Sequence, residues 1–376
     1  MTTSTKQWRK QPAERGTQRV IVLGAGYGGL LAALRLAPHS RVTLLDPSDR
    51  FTERVRLHEL AAGRPDVTHP LADLLRGTVV EHLAVRAGSL DPDARRVTTD
   101  DGRSLSYDRL VYALGSRTAE TVGERVYTAE SAEALRKRMQ DGPGSLAVVG
   151  GGLTGIEMAA ELAESYPEWN VRLLSAGEVS AGHSVRGRAH VRGALQARGV
   201  RIEEGLEVTD AEAVDADAVV WAAAMVPNTA LAADAGLALD PHTGRIAVDA
   251  SLRSVSHPEI YAAGDAAAAH SPAAGAMRMG CAAALPTGSH TATAIIAELR
   301  GREPKPLRFG YLIQCVSLGR HDGLIQFVRP DDSPRERLLT GRAAARTKEQ
   351  VIRSTIRFLH LARRYPGAIP LFPGVG

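Results

Sequence analysis

The chain has 376 residues, with 46 Lys and Arg against 42 Asp and Glu, an ordinary balance for a globular protein of two or three domains whose cores need no staples. Two cysteines, Cys281 and Cys315, exclude a disulfide-built scaffold and fit a reducing, cytoplasmic compartment, and no run of 18 apolar residues reads as a spanning helix. The charge is uneven, since residues 301–376 carry 14 Lys and Arg against 6 Asp and Glu. That basic end suits an anionic membrane, a phosphate or an acidic partner, or is simply a solvated surface. No recognised motif or basic–aromatic patch points to nucleic acid.

Residues Met1 to Gln18 are polar and mildly basic, lack the apolar stretch of a signal peptide, and read as a loose tail. RVIVLGAGYGGLLAALRLA follows, then RVTLLD. A short run rich in β-branched residues reads as a buried parallel strand, the clustered glycines as a turn, the Ala- and Leu-rich stretch as a helix, and the second apolar run as the next strand. Gly24 permits the tight turn, Gly26 lets the backbone approach a pyrophosphate, and Gly29 lets the helix pack closely on the strand. The helix N-terminus offers unpaired N–H groups to a phosphate. Asp46 ends the second strand, where an acid accepts hydrogen bonds from ribose hydroxyls. Just beyond it, Arg54 is the candidate phosphate partner, and Glu53, Arg56, His58 and Glu59 lie close by without an assigned acid–base role.

YDRLVYALGS, from Tyr107 to Ser116, reads as a strand entering a small-residue turn at Ala113 and Gly115. The first pattern then recurs as SLAVVGGGLTGIEMAAELA followed by VRLLS. Gly150, Gly152 and Gly155 take the places of the earlier glycines. Ser175, not an acid, ends the second strand of this copy. Glu178 is near, and Arg186 and Arg188 lie downstream, so both NADH and NADPH remain open. Further on, SHPEIYAAGDAA reads as a strand ending in Gly264 and Asp265, followed by a helix running to about Ala297. Asp265 suits either a cofactor hydroxyl or a helix N-cap.

These four ordered motifs, spanning Gln18 to Arg300, resemble the pyridine-nucleotide-dependent FAD oxidoreductase superfamily. The resemblance implies an α/β fold of two Rossmann-like domains, the second inserted in the first, plus a small C-terminal α+β region. It places FAD on residues 18–120 and 250–305, NADH or NADPH on 121–249, and an interface region on 306–376. Gly264 and Asp265 then hold the ribityl and pyrophosphate part of the flavin. Without a CxxC, the thiol–disulfide branch is disfavoured, and the cysteines read as small apolar residues. LLDPSDRF, GGLTGIEMAAELAE, RMGCAAALPTGSHTATAI and GYLIQCVSLGRHDGLIQF look like type II NADH dehydrogenases. That likeness implies a quinone-like acceptor and makes Glu157 the candidate for orienting the nicotinamide. It puts Cys281, Ala284 and Pro286 on the acceptor side. Family members usually carry glutamines where this chain has Cys281-Ala-Ala-Ala-Leu-Pro-Thr-Gly288, which leaves open a ferredoxin-type or biosynthetic aromatic acceptor. A role as a nucleotide-responsive interaction module, like the apoptosis-inducing-factor flavoproteins, is the reading from another class.

The chain closes with a basic amphipathic helix over 342–364, with Val351, Ile352, Ile356 and Leu359 near one face. It either lies on an anionic membrane as a peripheral contact or packs on its own domain or a homodimer mate. RYPGAIPLFPGVG at the end reads as irregular. The scattered histidines show no metal-ligand spacing, and no metal is expected.

Overall fold

The computed structural model describes residues 18–64, 67–119 and 123–367. The tail before Gln18 and the last nine residues of the closing Pro/Gly segment lie outside the described residues. β1 (Arg19–Leu23) is buried from its second residue on, as its unbroken apolar run requires of a central parallel strand. α1 (Tyr27–Leu36) leads to β2 (Arg41–Leu45), which pairs parallel with β1 from Arg19–Arg41 to Leu23–Leu45. A short helix, α2 (Leu57–Ala61), follows. β3 (Glu81–Leu83) then adds outside β2, and β4 (Arg109–Tyr112) adds on the far side of β1.

The chain leaves this sheet through β5 (Ser116–Thr118) and builds a second one. Its elements are β6 (Val126–Tyr127), β7 (Ser145–Val149), α3 (Leu153–Ser165), β8 (Asn170–Ser175), α4 (Val185–Gln196), β9 (Arg201–Glu204) and β10 (Ala218–Trp221). The order is β6-β10-β7-β8-β9, parallel throughout. β11 (Met225–Pro227) brings the chain back, pairing antiparallel with β5. β12 (Ile260–Ala262) then completes the first sheet beside β4, in the order β12-β4-β1-β2-β3. A strand that follows the second sheet but joins the first is what an inserted unit requires. The architecture is therefore the α/β pair expected from the sequence.

The segment after Gly264 departs from the sequence reading. The helix does not start there. A three-residue 3-10 turn, Gly264–Ala266, and a small antiparallel pair, His270–Ser271 with Gly275–Ala276, come first. The long helix, α5 (Cys281–Leu299), begins only after Gly280, whose φ of +142° suits glycine. α5 crosses α1 through a glycine pair. A Cβ on Gly288 would sit 2.2 Å from the Gly28 carbonyl oxygen. Arg35 of α1 reaches across, buried, to the hydroxyls of Ser289 at 2.7 Å and Thr293 at 2.9 Å.

The C-terminal region is an antiparallel sheet of β13 (Ile313–Ser317), β14 (Gly323–Val328) and β15 (Pro334–Thr340), backed by α6 (Gly341–Arg364). The buried side chains of α6 are Ala344, Lys348, Ile352, Thr355, Leu359 and Ala362, recurring every three or four residues as one helix face must. Leu359 and Ala362 join the core around α1. Val351 is not on this face. It sits one residue, about 100° of helix turn, ahead of Ile352 and is exposed. No helix among the described residues is long and apolar enough to cross a membrane.

Next to β11, Ala224 adopts φ +56° and its carbonyl accepts the N–H of Ala119 at 2.9 Å. A left-handed alanine is strained by roughly 1–2 kcal/mol, offset in part by the greater unfolded-state entropy of glycine. Ala224→Gly is expected to stabilise the protein by roughly 0.5–1 kcal/mol, read as a rise in melting temperature. A fall would show the conformation to be unstrained.

Candidate functional site

The two glycine turns share one geometry. Gly24 has φ +93° and Gly150 φ +124°, backbone that side chains avoid. A Cβ on Gly29 would lie 2.0 Å from the Gly24 carbonyl oxygen, and one on Gly155 would lie 1.9 Å from that of Gly150. The third glycine of each motif is thus what lets the helix approach its strand. The middle glycines behave in the opposite way. Gly26 (φ −69°, ψ −175°) and Gly152 (φ −81°, ψ −177°) are the extended N-cap residues of α1 and α3. Both are exposed, and a Cβ on either would meet nothing within 4 Å. Each motif therefore ends in open space at a helix N-terminus, where unpaired N–H groups and the positive end of the helix dipole coincide.

The remaining sequence-derived residues divide. Asp46 stands beside the first turn: its Oδ2 accepts the N–H of Ala25 at 2.7 Å, and Oδ1 that of Ser48 at 2.9 Å. Ala113 packs on the same turn, its carbonyl oxygen 2.5 Å from a Cβ built on Gly24. Gly115, at φ +66°, accepts the N–H of Asn228 at 2.9 Å. Gly264 also has positive φ and donates its N–H to Thr287 Oγ1 at 2.9 Å. Asp265 does not cap its own turn. Its Oδ1 accepts the N–H of Gly280, and Oδ2 the hydroxyl of Ser116, both at 2.6 Å. Buried Arg245 donates to the Asp265 carbonyl at 3.0 Å. The structure thus brings the 113–116 and 264–280 segments together. Arg54 instead pairs with Glu130 at 2.7 Å. Ser175 is buried, its hydroxyl 2.3 Å from a Cβ built on Gly151. Arg188 is committed to Glu178 at 2.9 Å. Ala284 and Pro286 lie on packed flanks of α5, Ala284 against Gly264 and Gly28.

Glu157 marks the junction of the three regions. Its Oε1 accepts the N–H of Ser317 at 3.0 Å and pairs with Lys348 of α6, and His58 Nδ1 of α2 lies 3.7 Å from Oε2. Burial, with Lys348 adding to it, lowers His58 to a pKa of about 3, so its imidazole is neutral. Cys281 and Cys315 face the same group: burial raises both thiols, Cys315 to about 12, with Lys348 and Glu157 among the charges acting on each. Neither is a thiolate at neutral pH, consistent with small packing residues. One helical turn on, Glu161 is 1% exposed, accepts from Ser317 Oγ at 3.2 Å and lies 3.7 Å from Arg64 and 3.6 Å from Arg320. Burial outweighs these cations and raises it to about 7. Sequence reasoning missed Lys348, Ser317 and Glu161. Lys348 left a signal, a lone cation four residues after Ala344 and four before Ile352 on an apolar helix face. Ser317 and Glu161 left none.

A tandem of dinucleotide-binding folds, one set inside the other, is the class that this fold defines. The chain belongs to the pyridine nucleotide-disulphide oxidoreductase family, whose pattern matches residues 18–280. Relatives include an NADH dehydrogenase-like protein of Mycobacterium tuberculosis, 36% identical across 38% of this chain and 42% of its own length. A type II NADH:quinone oxidoreductase of Staphylococcus aureus is 31% identical across 40% of this chain and 44% of its own. The chain thus spans less than half the length of the curated relatives it matches. The sulfide:quinone oxidoreductase of Aquifex aeolicus shares the fold, with a TM-score of 0.75 and 21% identity over 92% of this chain and 93% of the other.

Glu161 has a folded pKa of about 7 against roughly 4.3 unfolded. Between those values the folded state holds a proton the unfolded state has lost, so its contribution is full below the unfolded pKa and is lost as pH rises through 7. Glu161→Gln removes that loss, worth roughly 3–4 kcal/mol. The variant is expected to melt closer to wild type at pH 5 than at pH 8.5, where it gains. A pH-independent difference would contradict the assignment.

Proposed function

We propose that the protein is an FAD-dependent NAD(P)H dehydrogenase that passes electrons to a small quinone-like acceptor. FAD is assigned to the first glycine turn with Asp46, Ala113, Gly115, Gly264 and Asp265, and NAD(P)H to the second, with Gly150, Gly152, Gly155 and Ser175. The observation that carries the reading is the repeated open geometry at Gly26 and Gly152, because a space that even a methyl group would enter is what a pyrophosphate must fill. The residues present fit a flavin dinucleotide on this ground and on the donors and acceptors gathered around Asp46 and the 264–280 turn.

When bound, the flavin supplies the redox chemistry that no side chain has. The chain's own residues position and shield. The helix N-termini of α1 and α3 receive phosphate charge. Arg245 and the Gly280 N–H hold the Asp265 turn in place. Glu157, fixed by Lys348 and the Ser317 N–H, presents an oriented carboxylate for the nicotinamide side of the nucleotide. Cys281, as a neutral thiol, adds no charge of its own to the acceptor side, which suits an uncharged quinone. The relatives named as NADH:quinone oxidoreductase support that choice of acceptor. The outer face of α6 exposes Arg342, Arg346, Arg353 and Arg357, which suits a peripheral contact with an anionic surface, while its apolar face is occupied within the chain.

Gly26→Val is expected to fold but purify without the visible flavin absorption, and Gly152→Val to retain it while losing at least about tenfold in anaerobic bleaching by NADH or NADPH. Full flavin occupancy in the first variant, or unchanged bleaching in the second, contradicts the assignment. Glu157→Gln is expected to keep flavin and slow its reduction about tenfold; equal reduction rates would make Glu157 structural.

A further inference from the structure

The second cradle lacks what the first one has. Asp46 follows β2 and reaches back to the N–H of Ala25, between Gly24 and Gly26. Its counterpart after Leu174 is Ser175, short, neutral and buried against Gly151. An acid at this point of a dinucleotide fold accepts from the adenosine ribose, and here the strand end offers none.

The missing charge lies one strand over. β8 and β9 run parallel, and their last registered pair is Ser175 with Glu204. Glu204 turns back toward the glycine turn: its Oε1 accepts the N–H of Val179 at 2.7 Å. Val179 lies against Gly151, its methyl 3.2 Å from a Cβ built there, and the N–H of the next residue, Ser180, reaches the Gly151 carbonyl at 3.0 Å. The Val179 N–H and Arg192, at 2.7 Å, hold the carboxyl of Glu204 below its ordinary range. Among the described residues, no hydrogen bond engages Oε2.

The cations at this edge are already used. Arg192 pairs with Glu204, and Arg188 pairs with Glu178 and donates to the His183 carbonyl at 2.7 Å. Arg186, exposed on the first turn of α4, is the remaining guanidinium close in sequence. A 2′-phosphate at Ser175 would meet two carboxylates, and to gain Arg188 or Arg192 it would have to break their ion pairs. A ribose hydroxyl needs only an acceptor.

We propose that Glu204, supplied by the neighbouring strand, is the specificity-determining residue of the second cradle, accepting the ribose 2′-hydroxyl of NADH and excluding the 2′-phosphate of NADPH. This rests on the reading that the second cradle holds NAD(P)H.

The test is calorimetric binding of ADP-ribose and of 2′-phospho-ADP-ribose to the flavin-loaded full-length protein, beside anaerobic bleaching by NADH and NADPH. ADP-ribose is expected to bind at least about tenfold more tightly. Glu204→Gln keeps an oxygen for the Val179 N–H and is expected to bring the two ligands within about threefold of each other. Arg192→Ala is expected to retain the preference. Tighter binding of the phosphorylated ligand, or an unchanged preference in a Glu204→Gln protein of wild-type melting temperature, overturns the proposal while leaving the cradle's role intact. If neither ligand binds and neither nucleotide bleaches the flavin, the reading of the second cradle falls and this proposal with it.

Discussion

Two carbonyl oxygens, those of Gly24 and Gly150, set the spacing on which both halves of the molecule depend. Each lies so near its helix that the facing residue, Gly29 or Gly155, has no room for a side chain. This closeness seats the first turn of α1 on β1 and of α3 on β7, and so puts helix N-termini just beyond the strand ends. Any larger residue would push the helix outward, and the open space at Gly26 and Gly152 would lose the N–H groups that border it. The same economy recurs where α1 meets α5, at Gly28 and Gly288, so α1 is held closely on two sides.

The C-terminal region acts on this frame as a clamp. Buried Gln326 of β14 accepts the N–H and hydroxyl of Ser184 at the start of α4, at 3.2 and 2.9 Å. Lys348 reaches Glu157 of α3, while Arg56, just before α2, binds Glu349 of α6 at 3.0 Å. Arg320 faces Glu59 of α2 and Glu161 of α3, at 3.4 and 3.6 Å. Buried ion pairs contribute little net stability, because desolvation offsets their attraction, but removing one partner is costly. Their effect here is on arrangement: with the Gln326–Ser184 contact and the apolar packing of Val316, Leu318 and Leu324, they fix how the two Rossmann-like units meet the C-terminal sheet.

How far this was legible in the sequence depended on the range of the interaction. The glycine turns and their strands rest on local pattern, and the insertion of one unit in the other came from the family resemblance that those motifs carry. The start of α5 was misplaced because the apolar, alanine-rich run after Asp265 reads as helix, whereas Pro272, Gly275 and Gly280 break it into a small hairpin. Val351 was set on the wrong face because an apolar residue beside Ile352 carries no sign of which side it takes. The company of Glu157 was invisible, since Ser317 and Lys348 lie 160 and 191 residues away. Arg54 and Asp265 were noticed as polar groups near glycine motifs, yet sequence does not show that Glu130 or Gly280 would engage them.

The strands that leave and re-enter the first sheet, β5 and β11, lie side by side, with Ser116 opposite Pro227 and Thr118 opposite Met225. The chain therefore crosses between host and guest through two adjacent threads, and of the 106 residues between them the described ones add no strand to the host sheet and leave its register undisturbed. Such a joint makes the inner fold a cassette as far as the outer sheet is concerned: a replacement must close at the same two ends and keep the contacts that Glu130, Glu157 and Glu161 make with Arg54, His58 and Arg64.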